Sequence, residues 1–177
     1  VCVPVEIANA ADGDLPMLCI GDLPRAALPA LASRFGFSVA FVTDGQPITG
    51  SFWGEPEAGI VGTTLYVRGD TPLHSALHEL SHLVCMSAAR RAALVRDAGG
   101  DDDEESAVCY LQILLANEID GAGQERLMKD MNDWGYSFRL GTTERWFRDD
   151  AHDAAYWLQA RGIVDKNNCL LWRLRND

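Results

Sequence analysis

The chain has 177 residues, about the length of one domain and enough to bury roughly two thirds or more of its unfolded surface without staples. Its 47% hydrophobic and 23% charged residues are ordinary globular usage and exclude disorder, collagen-like repeats and coiled coil. With 15 Lys+Arg against 26 Asp+Glu the net charge is −11, which repels phosphate backbones and argues against nucleic acid as a partner. No apolar run approaches the roughly 20 residues of a membrane helix. The five cysteines (Cys2, Cys19, Cys85, Cys109, Cys169) stand at wide, irregular spacing without a CxxC pair, which points to a reduced, cytoplasmic setting. From Val1 onward no basic segment leads into an apolar one, so no signal peptide is expected in this stretch of chain.

The first 24 residues, rich in Pro, Gly and Asp with short apolar pieces at Val1–Ile7 and Met17–Ile20, read as a strand or extended arm with turns. Pro24 starts a short amphipathic helix carrying Leu28, Leu31, Ala32 and Phe35, which Gly36 stops. Phe37–Val42, Ile48–Trp53 and Gly59–Val67 read as three strands of a small meander bounded by turn residues. Asp70 or Thr71 is the expected N-cap of a helix that enters through Pro72 and runs to about Ala88. A further helix spans Ser87–Asp97, Gly99-Gly100 breaks it, and Asp101-Asp102-Asp103 opens another that reaches about Ile119. Helical patterns return around Leu127–Trp134 and Asp150–Ala160, with Trp146, Phe147, Trp157 and Trp172 as packing anchors. The fold class expected is α+β, and residues 1–177 read as a single domain, with a core at about 23–119 and a C-terminal helical extension at 120–177.

The helix that begins at Pro72 contains His78-Glu79-Leu80-Ser81-His82, an H-E-x-x-H motif. Histidines at i and i+4 stack on one helical face and can offer ring nitrogens to a single metal, with the glutamate between them beside the water that the metal binds. The flanking residues Ser75, Ala76, Leu77, Leu80, Ser81, Leu83 and Val84 are all uncharged, as a buried ligand helix requires. Two imidazoles plus a carboxylate select Zn2+, which accepts tetrahedral N/O ligation and leaves one position open to water. The metzincin continuation is absent, because Cys85 and Ala88 stand where that motif has Gly and His. The third ligand therefore comes from elsewhere in the chain.

Helical phase puts Glu104 within about 40° of Val108, Leu111 and Leu115, whereas Glu105 lies about 20° from Gln112. Glu104 thus faces the apolar side, where a carboxylate needs a partner, and it is the expected third ligand; Glu105 is the alternative. Asp101 and Glu104, or Asp102 and Glu105, also have the spacing of capping boxes. His74 and His82 are separated by about 12 Å of helical rise and do not share one ion, so His74 is a first-turn surface residue or a cleft wall. His152 sits among acids in a solvated first turn, and Cys85 and Cys109 read as small packing residues.

The order of strand, H-E-x-x-H helix and then a helix opening with Glu resembles the gluzincins, and more narrowly the ImmA/IrrE-type metallopeptidase domains, over about Leu23–Asn117. Glu104-Glu105-Ser106-Ala107 matches that family's E-x-x-A. The resemblance implies a zincin-like fold, with a small sheet packed on the H-E-x-x-H helix and further helices C-terminal to it. It implies His78, His82 and Glu104 as zinc ligands, Glu79 as general base on the metal-activated water, and a protein or peptide as substrate. It also places the strand around Gly62–Val67 at the cleft edge, where an extended substrate could add as a further strand. Tyr66, Tyr136, Arg145 and His152 are the candidates for stabilising the oxyanion. A zinc-stabilised interaction module without catalysis is the alternative.

Overall fold

The computed structural model describes residues 15–96 and 98–176; the arm expected over Val1–Ile7, with Cys2, lies outside the described residues. The described chain begins in extended form and ties itself to the middle of the molecule: Leu73 N donates to Leu18 O at 2.8 Å and Ile20 N to Thr71 O at 2.9 Å. A short 3-10 turn, Ile20–Asp22, leads to α1, Ala27–Ser33, which buries Leu28, Leu31 and Ala32 at the expected helical spacing.

β1, Ser38–Phe41, follows the turn after α1. Ile48–Trp53, expected as a strand, makes only one bridge, from Ser51 to Gly59. The run Gly59–Val67, expected as a single strand, is a hairpin of β2, Gly59–Val61, and β3, Thr64–Val67, with Val61 opposite Thr64. Gly62-Thr63 is the two-residue turn, and Gly62 at φ 58° supplies the left-handed backbone that the first turn residue needs. A three-stranded sheet does form, in the order β1-β3-β2, with β1 parallel and β2 antiparallel to β3. β3 is therefore central, its Leu65 and Val67 buried. Its main-chain groups already bond to a neighbour on each side, so the expectation that the Gly62–Val67 strand offers an edge to substrate is overturned.

α2, Leu73–Cys85, lies against this sheet and buries eleven of its residues, His74 and His82 among them. Pro72 takes the N-cap position at φ −61°, close to the value its ring fixes. Thr71, one of the expected caps, instead accepts Arg68 N with its hydroxyl at 2.9 Å. The helix ends at Cys85, short of the expected Ala88, because Ser87 caps α3, Ala88–Ala92, by accepting Arg90 N at 3.3 Å. α4, Asp102–Ala116, crosses α2 with Asp101 as its N-cap, and α7, His152–Ala160, packs on α4 as well. Between them come α5, Gln124–Trp134, and α6, Thr143–Asp149. The sequence showed α6 only as its anchors Trp146 and Phe147. Asn132 joins these two helices, its Oδ1 accepting Thr143 N at 2.8 Å and Thr143 Oγ1 at 2.7 Å.

The architecture is α+β, seven α-helices and three strands among the described residues. One hydrophobic cluster runs from Ile20 to Val164 and takes in Trp146 and Trp157, with Phe147 and Trp172 packed against it. No helix among the described residues is long and apolar enough to cross a membrane. The loop into β2 is pinned to α2 by a buried bond in which Ala58 N donates to Ser75 Oγ at 3.0 Å. Ser75→Ala leaves that amide unsatisfied and is expected to cost about 1–3 kcal/mol in urea unfolding; unchanged stability would show that the bond does not hold the loop.

Candidate metal centre

His78 and His82 lie one turn apart on the face of α2 that meets α4. Their Nε2 atoms are 3.1 Å apart, and the rings stand perpendicular with centroids 4.6 Å apart. His78 Nδ1 donates to Gln112 Oε1 at 2.7 Å, and the fully buried Gln112 spends its amide nitrogen on Met131 Sδ at 3.1 Å. Gln112 thereby fixes the His78 proton on Nδ1 and leaves the Nε2 lone pair facing His82. His82 Nδ1 is buried with no hydrogen-bond partner, so that ring has no counterpart of the Gln112 bond at its Nδ1. Burial lowers the pKa of His78 against the opposing effect of the Gln112 bond. It takes His82 well below the ordinary value, with the charges of His78 and Arg90 adding to the effect. Both imidazoles are held neutral near pH 7, the form that binds a metal.

Glu105, in the first turn of α4, completes the group. Its Oε2 is 3.6 Å from His82 Nε2, and its Oε1 accepts Gly100 N at 2.7 Å. Ligand atoms of His78, His82 and Glu105 all lie within 4.8 Å of one another. Ligands about 2.0–2.1 Å from a tetrahedral ion stand roughly 3.3–3.4 Å apart, and the two separations that involve His82, 3.1 Å to His78 and 3.6 Å to Glu105, lie on either side of that value. Two nitrogens and a carboxylate oxygen are a donor set that first-row divalent ions accept.

Glu104, the ligand expected from helical phase, is placed elsewhere. It is inward, 4% exposed, but its Oε1 bonds Arg90 Nη1 at 2.6 Å and its Oε2 bonds Arg175 Nη1 at 3.1 Å. Two guanidiniums neutralise the buried carboxylate where a metal ion was expected to. Its side chain folds back over Gly100, where an added Cβ would stand 2.7 Å from the carboxyl carbon. Asp101 does cap the helix, accepting Glu104 N at 2.9 Å, whereas the side chain reaching back is that of Glu105, to Gly100 rather than to the cap residue. Cys85 and Cys109 are outside the metal-capable group among the described residues. Burial pushes the Cys85 thiol well up and the Cys109 thiol up to about 12, and both keep their protons. His152 is exposed at the start of α7.

Glu79 and His78 line a cleft of about 310 Å³ that opens beside the histidines. Trp134 and Tyr136, from the end of α5 and the turn after it, form one wall, and Trp53 and Glu57 come from the loop before β2. His74 is a cleft wall rather than a surface residue. It is 1% exposed, neither ring nitrogen has a hydrogen-bond partner, and its ring centroid is 5.1 Å from that of Trp134 and 5.5 Å from that of Tyr136. Burial, and then the charge of His78, take its pKa down to about 4. Of the four oxyanion candidates only Tyr136 lines the cleft. Sequence reasoning missed Glu57, Gln112, Trp53 and Trp134 as cleft or site residues. For Gln112 a signal existed: an uncharged polar residue inside the apolar run Leu111–Ala116, on the same helical face as Glu105.

No family model, curated protein or solved structure matches the chain.

Replacing Gln112 by Leu keeps the volume and removes the acceptor of His78 Nδ1–H. Zinc affinity, measured by competition with a chromophoric chelator, is expected to fall about 10–100-fold while the metal-free fold persists by circular dichroism. Unchanged affinity would mean that Gln112 does not orient the ligand.

Proposed function

We propose that the protein is a zinc-dependent peptidase with a zincin-like fold, in which His78, His82 and Glu105 hold the ion and Glu79 is the general base. The observation that carries this reading is the convergence of the two Nε2 atoms and the Glu105 carboxylate beside a cleft lined by the glutamate of the same H-E-x-x-H motif. The resemblance to gluzincins supports it, since they too draw the third ligand from a later helix. In this reading the ligand lies one residue beyond the E-x-x-A register of the ImmA/IrrE-type domains, which favours the wider group over the narrower one. The substrate is a protein or peptide, and a cleft of this size suits a narrow-specificity, regulatory protease. A cytoplasmic setting goes with it, in keeping with the thiols of Cys19, Cys85 and Cys109.

Bound at these residues, zinc would supply a Lewis acid for the scissile carbonyl and a water made acidic near neutral pH. Hydrolysis adds one water across the C–N bond. The Glu79 carboxylate takes a proton from the attacking water and returns it to the nitrogen of the departing amine. Burial raises the pKa of Tyr136, so its hydroxyl stays protonated and can donate to the oxygen that gains charge. Gln112 holds the His78 ring against rotation throughout.

Glu79→Gln separates binding from chemistry. The variant is expected to retain about one zinc per chain and to lose about 10²–10⁴-fold in hydrolysis of a mixed fluorogenic peptide set. A variant as fast as wild type would overturn the role of Glu79. Zinc bound by a wild type that cleaves no peptide would favour the zinc-stabilised interaction module.

A further inference from the structure

The walls of the cleft beside α2 share one electrostatic character. They carry the carboxylates of Glu57 and Glu79 and the aromatic faces of Trp53, Trp134 and Tyr136, and among the described residues no Lys or Arg lines them. Glu57 is half-buried in the wall that it shares with Trp134. Burial raises its pKa although Trp134 acts the other way, so the group has lost water without gaining a countercharge. Trp53, 77% exposed, stands at the rim with its ring edge-on to Phe52 at 5.1 Å, and Phe52 O accepts Arg96 Nη2 at 3.1 Å.

One kind of ligand answers these features. A cationic side chain brings the countercharge that Glu57 lacks and a charge that the aromatic faces attract. An acidic side chain would meet the Glu57 carboxylate, and an apolar one would leave it desolvated without a countercharge. We propose that this cleft is the specificity pocket for a lysine or arginine side chain next to the scissile bond, with Glu57 as its counter-ion. That the cation belongs to a peptide substrate rests on the peptidase reading; the charge preference of the cleft does not.

Trp53 and Trp134 report occupancy of the cleft through their fluorescence. The full chain kept metal-free with chelator, so that nothing is cleaved, would be titrated with three heptapeptides, blocked at both ends and differing only in a central Arg, norleucine or Glu. The Arg peptide is expected to bind about tenfold or more tighter than the norleucine peptide and the Glu peptide most weakly. Glu57→Gln should erase the Arg preference, and Glu57→Lys should invert it towards the Glu peptide, with folding of both checked by thermal melting. Equal affinity for the Arg and norleucine peptides, or binding of none of the three, would overturn the proposal. The zinc-loaded wild type is then given the same peptides. Selective binding without cleavage would sink the peptidase reading alone, whereas cleavage indifferent to the central residue would sink the pocket alone.

Discussion

The first turn of α4 is held in place by a buried charge. Glu104 is one of few ionisable side chains in the interior, and its two oxygens are divided between Arg90 and Arg175. Arg90 also donates to Ala98 O and Gly99 O, each at 2.9 Å, so α3 and the loop before α4 are drawn to the same point. Arg175 comes from the far end of the chain, where its own amide donates to Val84 O at 3.0 Å at the close of α2. A buried pair of this kind adds little net stability over apolar packing, but losing one partner strands a desolvated charge. Its effect is geometric: α2, α3, α4 and the C-terminal tail are fixed to one another at a single carboxylate.

Fixing Glu104 also fixes its neighbour. With Glu104 turned inward, the next residue on the helix is rotated by about 100° and points along the seam between α2 and α4. Glu105 and Gln112, seven residues apart, lie on that seam and meet His82 and His78 respectively. Four polar side chains therefore face one another between two otherwise leucine-rich helices. Both helices are anchored in the core by apolar residues, Leu77, Leu80 and Leu83 on α2 and Val108, Leu111 and Leu115 on α4. Such rigid support is what a ligand set needs if ordinary motion is not to spoil its geometry.

The local features of this protein were readable from the chain, and the long-range ones were not. H-E-x-x-H is legible because helical periodicity alone brings its two histidines to one face. The apolar spacing of α1, the opening of α4 at Asp101 and the inward phase of Glu104 follow from the same short-range rules. What could not be read were the partners of Glu104, because Arg90 belongs to another helix and Arg175 lies 71 residues away in a segment without a motif. Phase says that a carboxylate is buried and is silent on what neutralises it. The proposed third ligand is not on the buried face, since the half-exposed Glu105 reaches the histidines from the seam. The sheet is hard to read for a related reason: one apolar run, Gly59–Val67, holds two strands, and only the backbone freedom of Gly62 marks the turn between them. The cleft depends on Glu57, His74 and Trp134 from three separate parts of the chain, which tertiary structure alone brings together.

The central claim is that His78, His82 and Glu105 bind one metal ion while Glu104 serves the fold. The most direct measurement is anomalous scattering at the zinc edge from crystals of the protein grown with zinc. The account requires one strong peak touching Nε2 of both histidines and a carboxylate oxygen of Glu105, with Glu104 still paired to Arg90 and Arg175. A peak ligated by Glu104, or no peak at the two histidines, would contradict it.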